Sequence, residues 1–538
     1  MNILWLDLNS SYSHSSLALP AIHAQCNDSN SWDVLRTTIN VSVSSIVGDI
    51  VDKKPDLICA TAWLFTHDHL KNVLSRVKSV MPNVIIALGG PEFLGDNQNY
   101  LFANRFVDIV FRGEGEESFC KWLNVFDDKR QWKDIVGVCY LDIQDKYIDN
   151  GYAKVGDFKS LNPPEDSEFF CRDRAFVQFE TARGCFNTCS FCVSGADKPV
   201  RVLPLERVRE RLQSYYEMGI KSIRLLDRTF NGQSSRALAM LDIFEEFAGK
   251  LVFHLEVHPA LLSEQVREKL VKMPKGVLHL EAGIQSLRQN VLTLSKRLGS
   301  LEDSLDGLGF LCGLKNMETH VDLIAGLPGY TLPMMKEDIL QLAAFDASEI
   351  QLELLKVLPG TEMRRNAENL GLKYAPMTPY EILESDGMSV KDLFEAKLLS
   401  RLLDMYYNNE VWQSVFREIM LNENEFLNSF FDYMKKLDVL EKPISLENRG
   451  LFLYNFLEKN YPSFMTSISM KWIEEGLAMG KKPALNMKPE HVKPNIDSVK
   501  VAFGEIVPEM RFYSFNNVVY GYDRASEKRK PVFKCIVN

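Results

Sequence analysis

The sequence predicts an α/β protein in three parts: a doubly wound parallel sheet, a partial (β/α)6 barrel, and a mainly helical C-terminal domain with a terminal hairpin. Three observations carry this. Short apolar runs alternate with helical spacers over roughly the first 110 residues, the same alternation resumes after residue 175, and beyond Gly371 it gives way to helical periodicity. At 538 residues the chain is too long for one core. The expected boundaries are 1–134 for the first sheet, 135–170 for a hairpin and linker, 171–370 for the barrel and 371–538 for the rest.

In chain order, residues 2–8 (Asn-Ile-Leu-Trp-Leu-Asp-Leu) read as a strand, the polar stretch Asn9–Ser16 as a loop, and Leu17–His23 as a helix. Strands follow at Asp33–Val41, Leu57–Phe65, Val84–Leu88 and Val107–Phe111. In such sheets ligands sit beyond the carboxyl ends of the strands. The loops there are Asn9–Ser16, Gly89-Gly90-Pro91-Glu92 and Arg112-Gly113-Glu114-Gly115-Glu116-Glu117, whose glycines are expected to let the backbone approach a ligand. None has the spacing of a dinucleotide or P-loop motif. Ile135–Asp142 and Lys146–Gly151 predict a small hairpin, and Leu161-Asn-Pro-Pro-Glu-Asp166 a linker.

The barrel strands are expected at Ala175–Phe179, Ser222–Asp227, Val252–Val257, Leu278–Ala282, Thr319–Ala325 and Ile350–Lys356. Polar residues recur near their carboxyl ends: Asp227, Glu256, Glu281, Asp322 and Glu353. Charge is costly inside a barrel, so these belong at its ligand-bearing mouth. Lys391–Leu440 has apolar residues at helical spacing and predicts a bundle. Its aromatics Phe416, Phe426, Phe430, Phe431 and Tyr433 read as core in preference to a substrate pocket. Arg511–Tyr522 and Pro531–Val537 predict a terminal hairpin with Lys528-Arg-Lys530 in its turn.

After the first barrel strand comes Thr181-Ala-Arg-Gly-Cys185-Phe-Asn-Thr-Cys189-Ser-Phe-Cys192. Three thiolates spaced C-x3-C-x2-C suit an iron–sulfur cluster, which normally takes four, so one iron is left open for chemistry. A zinc site lacks a nearby fourth Cys or His, and a redox C-x-x-C pair needs no third thiol.

This loop, with Phe191 before its third cysteine, resembles the signature of the radical S-adenosylmethionine (SAM) superfamily. The resemblance implies a [4Fe-4S] cluster on Cys185, Cys189 and Cys192 whose open iron chelates SAM. An electron from the cluster then cleaves the sulfonium to a 5′-deoxyadenosyl radical. Gly283-Ile-Gln-Ser286 with Arg297 is similar to the coproporphyrinogen-oxidase-like branch, which implies SAM contacts from Gln285 to ribose and from Arg297 to carboxylate. Phe191, Glu256, Asp322 and Asp227 complete the implied SAM-binding set, although Leu226-Asp227-Arg-Thr lacks the family's glycine pair.

The sheet placed directly before that loop, with its two glycine loops, is similar to the Rossmann-like cobalamin-binding domain of cobalamin-dependent radical SAM proteins. The resemblance implies cobalamin contacts from His14, Thr61, Gly89, Gly90, Pro91, Gly113, Glu114 and Gly115. None of the nine histidines lies in the D-x-H-x-x-G motif that supplies a lower cobalt ligand in older corrinoid enzymes, so no protein histidine is expected under cobalt.

The resemblance implies an enzyme that most readily methylates an unactivated carbon; no catalytic residue beyond the cofactor contacts is singled out. Cyclisation, ring contraction or rearrangement, with or without cobalamin, is the alternative, and a non-catalytic corrinoid or cluster sensor belongs to another class. A methylthiotransferase needs a second three-cysteine site, for which Cys26, Cys59, Cys120 and Cys139 are not arranged. Expected partners are a small-molecule or peptide substrate and an electron donor such as flavodoxin or ferredoxin. A net charge of −10 disfavours broad capture of nucleic acid. Ten scattered cysteines, no eighteen-residue apolar run and no signal-like start lead to a cytoplasmic expectation without a membrane span.

Overall fold

The structure is a computed structural model. It describes all residues except 12–15, 27–28, 479, 488–489, 492–509, 516–517, 524–529, 532 and 537–538. The chain divides into two compact units: Met1–Met335 with Leu354–Leu393, and Lys336–Glu353 with Phe394–Asn538.

The first sheet contains β1 (Asn2–Asn9), β2 (Ser31–Thr38), β3 (Leu57–Thr61), β4 (Ile85–Gly89), β5 (Ile109–Phe111), β6 (Val138–Leu141) and β7 (Tyr147–Asp149), in the order β2-β1-β3-β4-β5-β6-β7. The pairings from β2 through β5 are parallel, and β6 and β7 add antiparallel. Both faces are covered. Leu4, Leu6, Leu8, Ile58, Ala60, Ile86, Leu88 and Val110 build one core. The alternate residues Ile3, Trp5, Leu57, Cys59, Ala87, Ile109 and Phe111 build the other. Burial on both faces explains why these strands read as continuous apolar runs. The chain leaves β1 to opposite sides for β2 and β3, which opens a crevice at the carboxyl ends.

Two sequence expectations change here. The hairpin is part of the first sheet, because β6 pairs with the edge of β5. The supposed linker is pinned: Asn162 and Gln25 exchange hydrogen bonds of 3.0 and 2.8 Å, and Glu165 forms a bidentate ion pair with Arg211 at 2.6 and 2.7 Å. The prolines do not exclude regular structure there either, because Pro164–Asp166 form a short 3-10 turn.

Next come β8 (Val177–Phe179), a short antiparallel pair β9 (Ala182–Arg183) and β10 (Arg201–Val202), then β11 (Ser222–Leu225), β12 (Val252–Val257), β13 (Leu278–Gln285), β14 (Glu318–Ala325) and β15 (Glu349–Leu354). The six longer-range strands form one open sheet, with β8, β11, β12, β13 and β14 pairing in parallel. Burial alternates strictly along β12, β13 and β14. Leu255, Leu280, Ala282, Val321 and Leu323 are buried, while His254, Glu256, His279, Glu281, Gln285, His320 and Asp322 share the other, partly open face. Period two thus places the ionisable residues of these strands and Gln285 on one side, while Thr319 lies buried on the other.

The second unit contains most of Val390–Tyr406, then Gln413–Asn422, Phe426–Lys436, Leu446–Asn460 and Met465–Glu474, all helical. Phe416, Phe426, Phe430 and Phe431 are fully buried, and Phe426 stacks on Phe430 at 5.5 Å, so these aromatics are core, as expected. The terminal hairpin is Met510–Phe515 with Val518–Asp523, joined by Phe533–Ile536. Lys528 and Arg529 lie outside the described residues, and Lys530 pairs with Glu475.

Candidate cluster and cofactor site

The end of β8 is fixed by a buried acid. Asp227 accepts hydrogen bonds from the amides of Thr181 (2.7 Å) and Ala182 (2.9 Å) and from the Thr181 hydroxyl. It holds the turn that leads into the cysteines. It does not line the cavity occupied by the other expected SAM residues, so the SAM contact implied for it is replaced by a positioning role.

The cysteine loop is tied to its surroundings through its backbone. The Cys192 amide donates to the Cys189 carbonyl, and the Cys185 amide to that of Asp197. The Ser190 amide donates to the Ser295 carbonyl, and Asn187 accepts from the Leu298 amide. These bonds bring Arg297 to the loop, with Nη1 3.6 Å from Cys189 Sγ and Nη2 on the Gly283 carbonyl. Burial raises the Cys189 thiol above its ordinary pKa, with Arg297 opposing.

A cavity of about 200 Å³ collects Cys185, Cys189, Cys192, Phe191, Glu256, Gln285, Arg297 and Asp322, joined by Arg228, Thr229, His258 and Glu281. Eight of the nine expected cluster and SAM residues therefore meet. Burial pushes Glu256 up to about 7, with Arg228 at 3.9 Å opposing and Glu281 reinforcing. Burial, then Arg297, pushes His258 down to about 3, so the imidazole is neutral. Gln285 adopts φ 72° at a bulge, and a Cβ on Gly283 would lie 2.6 Å from its amide nitrogen. A side chain at 283 would displace the Gln285 amide from this position. Sequence reasoning missed Arg228, Thr229 and His258. Their signal was adjacency to Asp227 and Glu256 at strand ends.

The donor set fits a cluster better than one zinc ion. Ligands on one zinc lie under about 4 Å apart. Among the described residues the three-residue group with ligand atoms all within 4.8 Å is not the cysteine triad. Carboxylates, an amide and an arginine facing the same cavity suit ribose hydroxyls, an ammonium and a carboxylate.

A second cavity, about 340 Å³, opens at the carboxyl ends of β3, β4 and β5. Thr61, Gly89, Gly90, Gly113, Glu114 and Gly115 line it, with Trp5, Trp63, Phe111 and Tyr152; Arg228 borders both cavities. Pro91 is not in its wall but starts the 3-10 turn Pro91–Phe93, and His14 lies outside the described residues.

The glycines need correction. A Cβ on Gly90 would lie 2.7 Å from Thr61 Cγ2 and 2.9 Å from the Ala62 carbonyl, and one on Gly113 2.2 Å from that of Ala153. Both have positive φ, so these two serve backbone packing; Gly89, whose nearest neighbour is Phe111 Cβ at 3.7 Å, is the one with space, and Gly115 has Ile22 Cδ1 at 3.2 Å. The acidic run does not oppose a ligand. Glu114 is bound by Arg201 and the Val155 amide, and Glu116 by Arg183 at 2.5 Å. Burial would raise the Glu114 carboxyl, but Arg201, Val155 and Arg183 hold it below its ordinary value. An aromatic-walled crevice of this kind, with its acids neutralised, fits a corrinoid.

Residues 6–123 match the model of the B12 binding domain, 179–342 that of the radical SAM superfamily, and 368–478 a protein domain of unknown function, DUF4080. The chain thus carries a B12 binding domain, a radical SAM domain and a DUF4080 domain, in that order. Similar proteins include the cobalamin-dependent radical SAM methyltransferase TokK of Streptomyces tokunonensis, 22% identical over 61% of this chain and 51% of TokK. A tRNA-2-methylthio-N(6)-dimethylallyladenosine synthase of Psychrobacter is 23% identical over 55% of this chain and 60% of its own. The chain thus spans between half and two thirds of these relatives. Among solved structures, the cobalamin-dependent SAM radical enzyme OxsB superposes with TM-score 0.60 at 14% identity, over 87% of this chain and 78% of OxsB. The methyltransferase TsrM of Kitasatospora setae superposes at 0.57 and 16% identity, over 70% and 79%. These two likenesses concern the fold.

Proposed function

We propose that this chain is a cobalamin-dependent radical SAM methyltransferase acting on an unactivated carbon. The supporting observation is that two separate cavities, one walled by the three cysteines and the other by the glycine loops, share Arg228. When bound, the cluster supplies the electron that cleaves SAM and cobalamin supplies a transferable methyl group. Cys185, Cys189 and Cys192 hold the cluster. Glu256 pairs with the SAM ammonium, Arg297 with its carboxylate, and Gln285 and Asp322 with the ribose. The neutral His258 lines the cavity beside the cysteines, and its ring meets that of Phe186 edge to face at 5.6 Å.

The N-terminal cysteines do not support a methylthiotransferase. Cys26 and Cys120 form a disulfide, while Cys59 and Cys139 lie in the cores on opposite faces of the sheet. The substrate is a small molecule or peptide, and the reductant is a flavodoxin or ferredoxin.

The deciding experiment is anaerobic reconstitution of the full chain with iron, sulfide and hydroxocobalamin, followed by gel filtration and incubation with methyl-labelled SAM and a reductant. Co-elution of cluster and corrinoid, with 5′-deoxyadenosine and S-adenosylhomocysteine both formed, is the expected result. A chain that cleaves SAM but retains no corrinoid would replace this reading with a cobalamin-independent radical reaction.

A further inference from the structure

We propose that the concave face of the barrel sheet holds a second metal site, for a borderline divalent cation such as Zn2+, built by His279, Glu318 and His320. Strand register brings the three together. His279 on β13 pairs directly with Glu318 on β14, and His320 lies two residues further along the same face. One ligand atom from each residue lies within 4.8 Å of the other two.

The two imidazoles are already turned toward each other. His279 Nε2 and His320 Nε2 are 2.8 Å apart, with ring planes at 89°. Glu318 Oε2 is 3.4 Å from His279 Nδ1. Around a tetrahedral zinc with bonds of about 2.0–2.1 Å, ligand atoms stand roughly 3.3 Å apart. A metal held by the two Nε2 atoms requires the imidazoles to separate from 2.8 Å and the Glu318 carboxylate, which now lies beside His279 Nδ1, to move toward them from within 4.8 Å. Two imidazoles and a carboxylate suit zinc and its neighbours better than hard cations, which prefer all-oxygen sites.

The site is supported and accessible. His254 stacks on His279 with centroids 4.9 Å apart and planes at 14°, and is itself held by Glu281 at 2.9 Å. This fixes one ring from behind, as outer-shell contacts do around metal ligands. The Glu318 side chain is 70% exposed and that of His279 25%, so an ion can enter and water can take the fourth position. None of the three lines the cysteine cavity. Because Asp322 lies two residues beyond His320, roughly 7 Å along the strand, a metal here would clamp β13 and β14 beneath Gln285 and Asp322. It would leave the cluster untouched.

The test uses the full-length Cys185→Ala/Cys189→Ala/Cys192→Ala chain, stripped with EDTA and titrated anaerobically with Co2+. One equivalent should bind, giving d–d bands without thiolate charge transfer, and Zn2+ should displace it. Losing outer-shell partners alone costs about 10–100-fold in metal affinity. His320→Ala should therefore weaken Co2+ binding about a hundredfold, and Glu318→Gln, at an exposed side chain, about tenfold. Circular dichroism checks that each variant is folded. If the cysteine variant does not fold, the cluster-loaded chain, whose thiolates are occupied, is titrated with Zn2+ by calorimetry. Absence of stoichiometric binding, or binding unchanged by both substitutions, overturns the proposal.

Discussion

Glu256 gives the proposed SAM site a pH signature. Its side chain lines the cysteine cavity and is 37% exposed, and burial of the carboxyl moves its pKa up to about 7. The protonated acid cannot pair with the SAM ammonium, so binding requires the ionised form, whose population rises with pH through about 7. With apparent Kd equal to intrinsic Kd divided by the competent fraction, lowering the pH from 7.5 to 6 reduces that fraction from about three quarters to about one tenth. Affinity should weaken about eightfold. The upper limit is set by the amino group of SAM, which loses its own proton near 7.7–8.0. The assay is calorimetric titration of SAM into cluster-loaded protein at fixed ionic strength. Glu256→Gln should bind more weakly at pH 7.5 and show a flat profile below it. A wild-type profile already flat between pH 6 and 7.5, or an equal slope in Glu256→Gln, would refute the assignment of Glu256 to the ammonium.

Replacing Cys185, Cys189 and Cys192 together by Ala should abolish iron–sulfur absorbance and SAM cleavage; a retained cluster would end the radical SAM reading. Arg297→Ala removes a charged hydrogen-bond partner worth about 1.5–3 kcal/mol, so SAM affinity should fall roughly 10- to 150-fold, and an unchanged affinity by calorimetry would remove Arg297 from the site. Gly90→Ala places a Cβ against Thr61 and Ala62 at φ 109° and should destabilise the first sheet by about 1–3 kcal/mol, read as a lowered thermal midpoint. Gly89→Leu, whose Cβ first meets Phe111 Cβ at 3.7 Å, should instead leave the midpoint nearly unchanged and reduce corrinoid retention on gel filtration. Equal corrinoid retention in Gly89→Leu and wild type would place cobalamin elsewhere.

The sequence by itself determined the three-part architecture, because period-two and helical periodicities record which faces are buried. It also singled out Cys185, Cys189 and Cys192 as the candidate cluster ligands, because C-x3-C-x2-C confines three thiolates to one short loop. Glu256, Gln285 and Asp322 were legible for a related reason: polar residues at alternating strand positions must face the open side of the sheet, where the cavity lies. Tertiary structure decided what spacing cannot encode. Asp227 looked like its strand-end neighbours, but its carboxylate satisfies the Thr181 and Ala182 amides instead of facing the cavity. Gly90 and Gly113 looked like ligand-approach glycines, yet the space above each is filled by a carbonyl or methyl group from another loop. His279, Glu318 and His320 carried no signal, since two strands and their register had to form before residues 39 to 41 positions apart could meet. Local spacing fixes which side chains share a face, whereas which partner claims each of them depends on contacts between segments distant in the chain.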